Sequence, residues 1–149
     1  TVTGVQTCAL PISLAREFVT MAHRQQARVL INSDVVLAHE VGADGVHLTS
    51  NQLHTLTQRP DCTWVAASCH SRDEIALAAR LGADFVVLGS VKPTPTHPGA
   101  PVLQWTGFEE TVRDATLPVY ALGGMNPGDL QQARLRGAHG LAMLRGAWR

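Results

Sequence analysis

The chain has 149 residues, of which 45% are hydrophobic and 16% charged, and this composition favours one folded domain over a disordered segment. Twelve Lys and Arg residues balance twelve Asp and Glu residues, so no basic field exists to gather nucleic acid or acidic lipid. No apolar run approaches the ~20 residues of a membrane span, and the three cysteines lack zinc-ligand spacing. We therefore expect a cytoplasmic domain with neither a nucleic-acid nor a membrane partner.

Residues 1–13 differ in character from the rest of the chain. They carry no charge, and they combine Gly4, Cys8 and Pro11 without the period of a helix or a strand. We expect a non-native or disordered leader here, with an ordinary frayed terminus as the alternative. One domain is then expected over residues 14–149.

From residue 14 onward, helical and strand patterns alternate. Leu14, Phe18, Met21 and Ala22 recur at the spacing of an amphipathic helix, and a short apolar strand over residues 28–32 follows. The apolar runs at residues 64–69 and 117–122 predict two further strands of the same kind.

Three segments repeat one pattern, in which an alanine-containing helix stops at a glycine and an apolar strand follows. The glycines are Gly42, Gly82 and Gly137, and the strands end at Leu48, Leu88 and Leu144. Glycine adopts the left-handed C-cap that stops a helix, and the apolar runs suit a parallel sheet buried on both faces. Six strands fall short of the eight in a TIM barrel. We therefore expect an α/β fold, either an incomplete (β/α)8 barrel or a complete doubly wound sheet.

A strand that leads into Gly123 and Gly124, followed by Asn126 and Pro127, predicts an anion site. Glycines let backbone amides approach an anion, and an Asn N-cap with Pro at N1 opens a helix whose amino end is partly positive. Arg145, after the last strand, would add a formal charge. The alternatives are a tight turn that needs glycine only for its backbone angles, and a solvated arginine.

Residues 89–99 follow another strand and are too rich in proline for a helix or a ladder. Thr94 and Thr96 offer hydroxyl groups there, and Lys92 and His97 offer donors that suit a phosphate or a carboxylate. A rigid surface crossover without a ligand is the alternative for this loop.

Ser68, Cys69 and His70 lie at the end of a further strand. Adjacent strand residues face opposite ways and no nucleophile elbow surrounds the serine, so a serine hydrolase is not predicted. His47 is expected to be a satisfied core histidine.

Four motifs, in this order and at these intervals, resemble the thiamine phosphate synthase/TenI superfamily: GADGVHL, VAASCHS, GSVKPTPTHPGAP and VYALGGMNP. The resemblance covers nearly all of residues 14–148 and implies a TIM barrel of which this chain carries strands three to eight. The strings HLTSNQL and LRGAW are most similar to the synthase-like domain that follows a MutT-like Nudix hydrolase in some proteobacteria. This likeness implies an upstream Nudix domain in the same native chain.

In that family, hydroxymethylpyrimidine diphosphate is joined to a thiazole phosphate, and Mg²⁺ holds the pyrophosphate that leaves. By resemblance, Asn32 and Ser68 contact the pyrimidine diphosphate, and Ser68 is the expected catalytic residue. The positions that match the thiazole-phosphate site are Thr94, Thr96, His97, Gly123, Gly124, Leu144 and Arg145.

The chain departs from the family pattern at both positions where an aspartate would hold the metal, which here are Ser33 and Gln52. Neutral side chains cannot balance Mg²⁺ and pyrophosphate in the same way. Ser90 also stands where the TenI tautomerases have a histidine. We therefore expect a domain that binds a small phosphorylated metabolite and has weakened or lost synthase activity. The alternative is a noncatalytic or structural module of a Nudix hydrolase of the 8-oxo-dGTP diphosphatase type.

Overall fold

The computed structural model describes residues 2–5, 12–95 and 99–148. The strands are β1 (Val2–Val5), β2 (Arg28–Asn32), β3 (Gly45–Leu48), β4 (Trp64–Cys69), β5 (Phe85–Leu88), β6 (Val119–Leu122) and β7 (Gly140–Ala142). The α-helices are α1 (Ile12–Arg24), α2 (Val35–Val41), α3 (Ser50–Thr55), α4 (Arg72–Leu81), α5 (Gln104–Val112) and α6 (Leu130–Leu135). Two 3-10 helices span Pro127–Asp129 and Arg145–Trp148.

All seven strands are parallel, and each pairs with its neighbours in sequence, from β1 at one edge to β7 at the other. The order never reverses, so the doubly wound alternative is wrong. A helix lies between each two successive strands from β2 to β7, because parallel strands need a crossover connection. The chain therefore forms an α/β fold whose sheet is an open, curled half-barrel.

The first strand was not expected from the sequence. Val2–Val5 pairs with β2 over its whole length, from Val2 opposite Arg28 to Val5 opposite Ile31. All six expected strands are present, and Val2–Val5 adds a seventh where no strand pattern was expected. Cys8 and Pro11 lie outside the described residues, and the foreign origin of residues 1–13 stays a prediction.

The three predicted turns are confirmed by their backbone angles. Gly42, Gly82 and Gly137 have φ values of +70°, +85° and +88°, in the left-handed region that glycine tolerates. Gly42 and Gly82 cap α2 and α4, and their amides donate to carbonyl groups in the last turn of each helix. These caps stop the helices and turn the chain into the next strand.

Aspartates fix the first two of these turns to the sheet. Asp44 Oδ2 accepts the Val29 amide at 2.7 Å, and Asp84 Oδ2 accepts the Val65 amide, also at 2.7 Å. In the third repeat His139 replaces the aspartate, and only its backbone amide bonds to the neighbouring strand. The repeated sequence pattern therefore marks a repeated hydrogen bond at the amino ends of the strands.

The two faces of the sheet bury different side chains. The outward face packs against the helices and forms the larger core, in which Phe108 is fully buried. The inner face carries Leu30 and a row of aromatic rings, with Phe85 6.5 Å from Trp64 and 5.4 Å from Tyr120 between ring centroids. No helix among the described residues is long and apolar enough to cross a membrane.

Candidate functional site

Polar residues gather at the carboxyl edge of the sheet, where the ends of parallel strands meet. Asn32 is the last residue of β2, His47 lies one residue before the end of β3, and Ser68 lies one before the end of β4. Asn32 stands opposite His47 in the strand register. Ligands of α/β sheets bind at this edge, so these residues lie where a site is expected.

Ser68 is hydrogen-bonded to His47 on the inner face, with 2.8 Å between His47 Nε2 and Ser68 Oγ. Cys69, the next residue, points the other way into the helix-facing core and is fully buried. The expected alternation of Ser68 and Cys69 is therefore confirmed. Burial raises the pKa of the Cys69 thiol to about 12, which excludes it as a nucleophile at neutral pH.

His47 was expected to be a satisfied core residue, and its ring is indeed hydrogen-bonded, but sequence reasoning did not place it beside Ser68 in the candidate site. Burial lowers the pKa of its imidazole, so the ring is neutral at pH 7. The pairing of β3 with β4 brings the ring next to Ser68. The sequence contains no local pattern for this contact, because the two residues are 21 positions apart.

A cavity of about 210 Å³ lies at the ends of β5, β6 and β7. Its lining includes Ser90, Thr94, Leu122, Gly123, Gly124, Leu144, Arg145 and Gly146. The structure thus brings together Thr94, the paired glycines, Leu144 and Arg145, as the resemblance implies. Thr96 and His97 lie outside the described residues, and their roles stay predictions.

Backbone hydrogen bonds hold the loops around this cavity. Val91 donates to the Leu122 carbonyl at 2.8 Å, and Lys92 donates to the Gly123 carbonyl at 3.2 Å. Gly89 donates to the Cys69 carbonyl at 3.3 Å. The ends of β4, β5 and β6 are therefore joined, which places the cavity beside the strand that carries Ser68.

The paired glycines are needed for the packing of these loops. Gly123 and Gly124 have φ values of +101° and +64°. A Cβ atom on Gly123 would lie 2.7 Å from Ser90 Cα, and one on Gly124 would lie 2.8 Å from the Pro93 carbonyl oxygen. The interpretation that glycine serves the turn is thus supported, and the contact of these amides with a phosphate stays a prediction.

Lys92 is not free to bind an anion in the way that its loop suggested. Its Nζ donates to Asp129 Oδ1 at 2.6 Å, and Asp129 Oδ2 also accepts the Asn126 amide at 2.9 Å. Burial raises the pKa of Asp129, but these hydrogen bonds outweigh it and lower the pKa overall. The predicted Asn126 cap is confirmed, although the helix that it opens begins with a 3-10 turn.

Arg145 is exposed at the cavity mouth and makes no ion pair with any residue that the structure describes. The last strand ends at Ala142, and Arg145 begins the second 3-10 helix. The expectation that this strand runs to Leu144 is wrong: Leu144 has already left the sheet and is 65% exposed. Arg145 is therefore the cation best placed to meet an anion in the cavity.

Ser33 and Gln52, the two positions that the resemblance assigns to metal ligands, are hydrogen-bonded to each other within the fold. Gln52 Oε1 accepts the Thr49 amide at 3.0 Å, and Gln52 Nε2 donates to the Ser33 carbonyl at 2.9 Å. Both ends of the amide are thus used to cap α3 and to tie the loop after β2 to it. Over residues 12–95 and 99–147, the structure shows no cluster of three His, Cys, Asp or Glu side chains that could hold a metal. These residues do not fit Mg²⁺ held as in the synthases.

Comparison with known proteins gives consistent matches. A family model described as thiamine monophosphate synthase (TMP-TENI) matches residues 8–147. A protein from Geobacter sulfurreducens is 36% identical over 141 residues, which are 89% of this chain and 64% of that protein. A thiamine-phosphate synthase from Thioalkalivibrio sulfidiphilus is 33% identical over 138 residues, or 90% of this chain and 65% of that protein. The chain thus spans slightly less than two thirds of the length of these two relatives.

The fold has a close counterpart among solved structures. The thiamine phosphate pyrophosphorylase from Pyrococcus furiosus superposes with a TM-score of 0.76 at 25% sequence identity. The match covers 96% of this chain and 72% of that one. The open half-barrel is therefore consistent with the TIM-like fold of that protein.

Proposed function

Because the chain belongs to the thiamine monophosphate synthase/TenI family, we propose that it is a synthase-like domain that has kept the thiazole-phosphate half of the site. In this proposal β2 to β7 correspond to strands three to eight of the family barrel. The sequential, parallel order of these strands supports the assignment. The family reaction joins hydroxymethylpyrimidine diphosphate to a thiazole phosphate. The proposed location of the domain is the cytoplasm.

The observation that carries this proposal is the cavity at the ends of β5, β6 and β7. It combines a glycine turn, the Thr94 side chain and an exposed arginine in one concave site of about 210 Å³. The Gly124 amide makes no hydrogen bond within the described part of the chain. Gly123, Gly124 and Leu144 offer backbone groups to the phosphate, Thr94, Thr96 and His97 offer side chains, and Arg145 adds charge.

In this proposal the pyrimidine diphosphate binds at the carboxyl ends of β2 and β4. Asn32 and Ser68 contact the pyrimidine diphosphate in this proposal, and Ser68 is the catalytic residue. Both side chains are half-buried at the carboxyl edge of the sheet, and β4, which carries Ser68, pairs with β5, the strand that leads to the cavity. In this proposal the two substrates bind side by side.

Synthase activity is weakened or lost in this proposal. The pyrophosphate that leaves carries several negative charges that Mg²⁺ would neutralise in the family reaction. Gln52 is neutral, and its amide is hydrogen-bonded to Thr49 and Ser33, so it offers no carboxylate to hold that ion. The chain therefore binds its phosphorylated ligand without completing the reaction at an ordinary rate.

Calorimetry with the thiazole phosphate tests the binding proposal. Arg145→Ala should weaken binding by about 3- to 10-fold, since a hydrogen bond to a charged group is weaker when it is exposed to solvent. The control is Arg134→Ala, which removes an exposed arginine on α6, outside the cavity. Equal affinity of the wild type and both variants would refute the role of Arg145, and no binding by the wild type would refute the site.

A noncatalytic module is the second candidate, and Gln52 favours it because both ends of its side chain serve the fold. In this version the domain follows a Nudix hydrolase in the native chain and binds a phosphorylated metabolite without reaction. The upstream reading frame tests the idea. A Nudix box of the form Gly-x5-Glu-x7-Arg-Glu-x2-Glu-x-Glu-Glu supports it, and its absence upstream refutes it.

A further inference from the structure

The inner face of the sheet contains a polar pair, His47 and Ser68, that the thiazole-phosphate cavity does not include. His47 lies on β3 and Ser68 on β4, and the 2.8 Å contact joins Nε2 of the ring to the hydroxyl oxygen. Both side chains are half-buried. The pair therefore lies where a ligand on the inner face can reach it while the surrounding sheet holds it in place.

Each member of the pair is the other's hydrogen-bond partner in the described part of the chain. Ser68 Oγ bonds to no further group there, and the His47 ring makes no second hydrogen bond. A serine hydroxyl rotates freely about its Cβ–Oγ bond unless a partner fixes it. With the ring proton on Nε2, His47 donates to Ser68 Oγ, which fixes the hydroxyl and leaves its proton free to donate to a diphosphate oxygen.

The rest of the local structure limits movement of the ring. The His47 carbonyl accepts the Ser33 amide at 2.8 Å, which ties β3 to the loop after β2. Burial lowers the pKa of the imidazole and keeps it neutral, so the ring draws no counterion to the pair. The ring is thus a fixed, uncharged partner for the hydroxyl.

We propose that His47 is a positioning residue that orients the Ser68 hydroxyl toward a ligand on the inner face of the sheet. This inference rests on the proposed function, because that function brings the pyrimidine diphosphate to Ser68. His47 acts through Ser68 and makes no contact with the reacting atoms. The two residues therefore form one energetic unit, and removal of either one releases the other.

A double-mutant cycle on the purified protein tests this unit, with binding of hydroxymethylpyrimidine diphosphate measured by calorimetry in buffer that contains Mg²⁺. We expect Ser68→Ala and His47→Leu each to weaken binding by about 3- to 10-fold, the effect of one lost hydrogen bond. The double variant should be no weaker than Ser68→Ala alone. The control is His139→Leu, which removes an exposed histidine at the opposite end of the strands.

Two further measurements separate positioning from simple packing. His47→Gln keeps a polar group within reach of Ser68, and it should restore binding to within about 2-fold of the wild type. In nitrogen NMR spectra, the imidazole resonances of His47 should shift when Ser68 is replaced by alanine. If His47→Leu does not fold, these two measurements decide the question.

The outcomes are distinguishable. Additive losses in the double variant, or no rescue by His47→Gln, overturn the positioning role and leave the proposed function intact. Failure of the wild type to bind the pyrimidine diphosphate overturns this inference, whereas the thiazole-phosphate site is decided by its own calorimetry. Coupled losses with rescue and a shifted imidazole resonance support it.

Discussion

The loss in free energy of unfolding when alanine replaces Gly124, compared with the loss when it replaces Gly42, measures how tightly the loops around the cavity are packed. Both residues have left-handed φ values, +64° and +70°. A Cβ on Gly42 meets no atom within 4 Å, whereas one on Gly124 lies 2.8 Å from the Pro93 carbonyl oxygen and from Lys92 Cβ. Gly42→Ala should therefore cost about 1 kcal/mol for backbone conformation alone. Gly124→Ala should cost about 2–4 kcal/mol, since steric overlap adds about 1–3 kcal/mol.

Urea unfolding followed by tryptophan fluorescence gives both free energies of unfolding under the same conditions. The comparison isolates the steric overlap, because the two variants share the same substitution and nearly the same φ. If the two losses agree to within about 0.5 kcal/mol, the Pro93 loop moves aside freely and the structural requirement for glycine is refuted.

Three further predictions concern side chains that are buried or partly buried. Burial raises the pKa of Glu74, but hydrogen bonds from Ser50, the His70 amide and His54 outweigh it and lower the pKa overall. The stabilisation by Glu74 is thus fully present above 4.5, the ordinary pKa of a glutamate, and falls as the pH drops below it. Acid unfolding of Glu74→Gln should lack this part of the pH dependence. Cys69 should resist iodoacetamide at pH 8 in the native protein, and alkylation found by mass spectrometry would contradict its burial. Phe108→Ala should cost about 3–5 kcal/mol in urea unfolding, and a loss below about 1 kcal/mol would contradict the core assignment.

Local sequence patterns predicted the elements that depend on local chemistry. The apolar runs at Arg28–Asn32 and Trp64–Cys69 give strands with the expected bounds, and the turn glycines adopt left-handed angles as expected. Each of these features needs only a short apolar run or one residue with special backbone freedom. The α/β class follows from their alternation, whereas the sequential strand order does not, because a doubly wound sheet alternates in the same way.

The errors concern features that depend on distant partners. Val2–Val5 has no strand pattern of its own and is a strand through pairing with β2. Lys92 is paired with Asp129, which lies 37 positions away, and His47 meets Ser68 only through the register of β3 and β4. A single sequence does not contain this register, so the cavity lining was predicted better than the hydrogen bonds around it.

The synthase assay tests the central claim most directly. The purified protein is given hydroxymethylpyrimidine diphosphate, the thiazole phosphate and Mg²⁺, and thiamine phosphate is measured over time. Because Ser33 and Gln52 replace the two carboxylates and Gln52 is hydrogen-bonded within the fold, we predict product at a very low or undetectable rate. Turnover at ordinary enzymatic rates, within roughly 1–1000 per second, would contradict the account and show that other groups hold the metal.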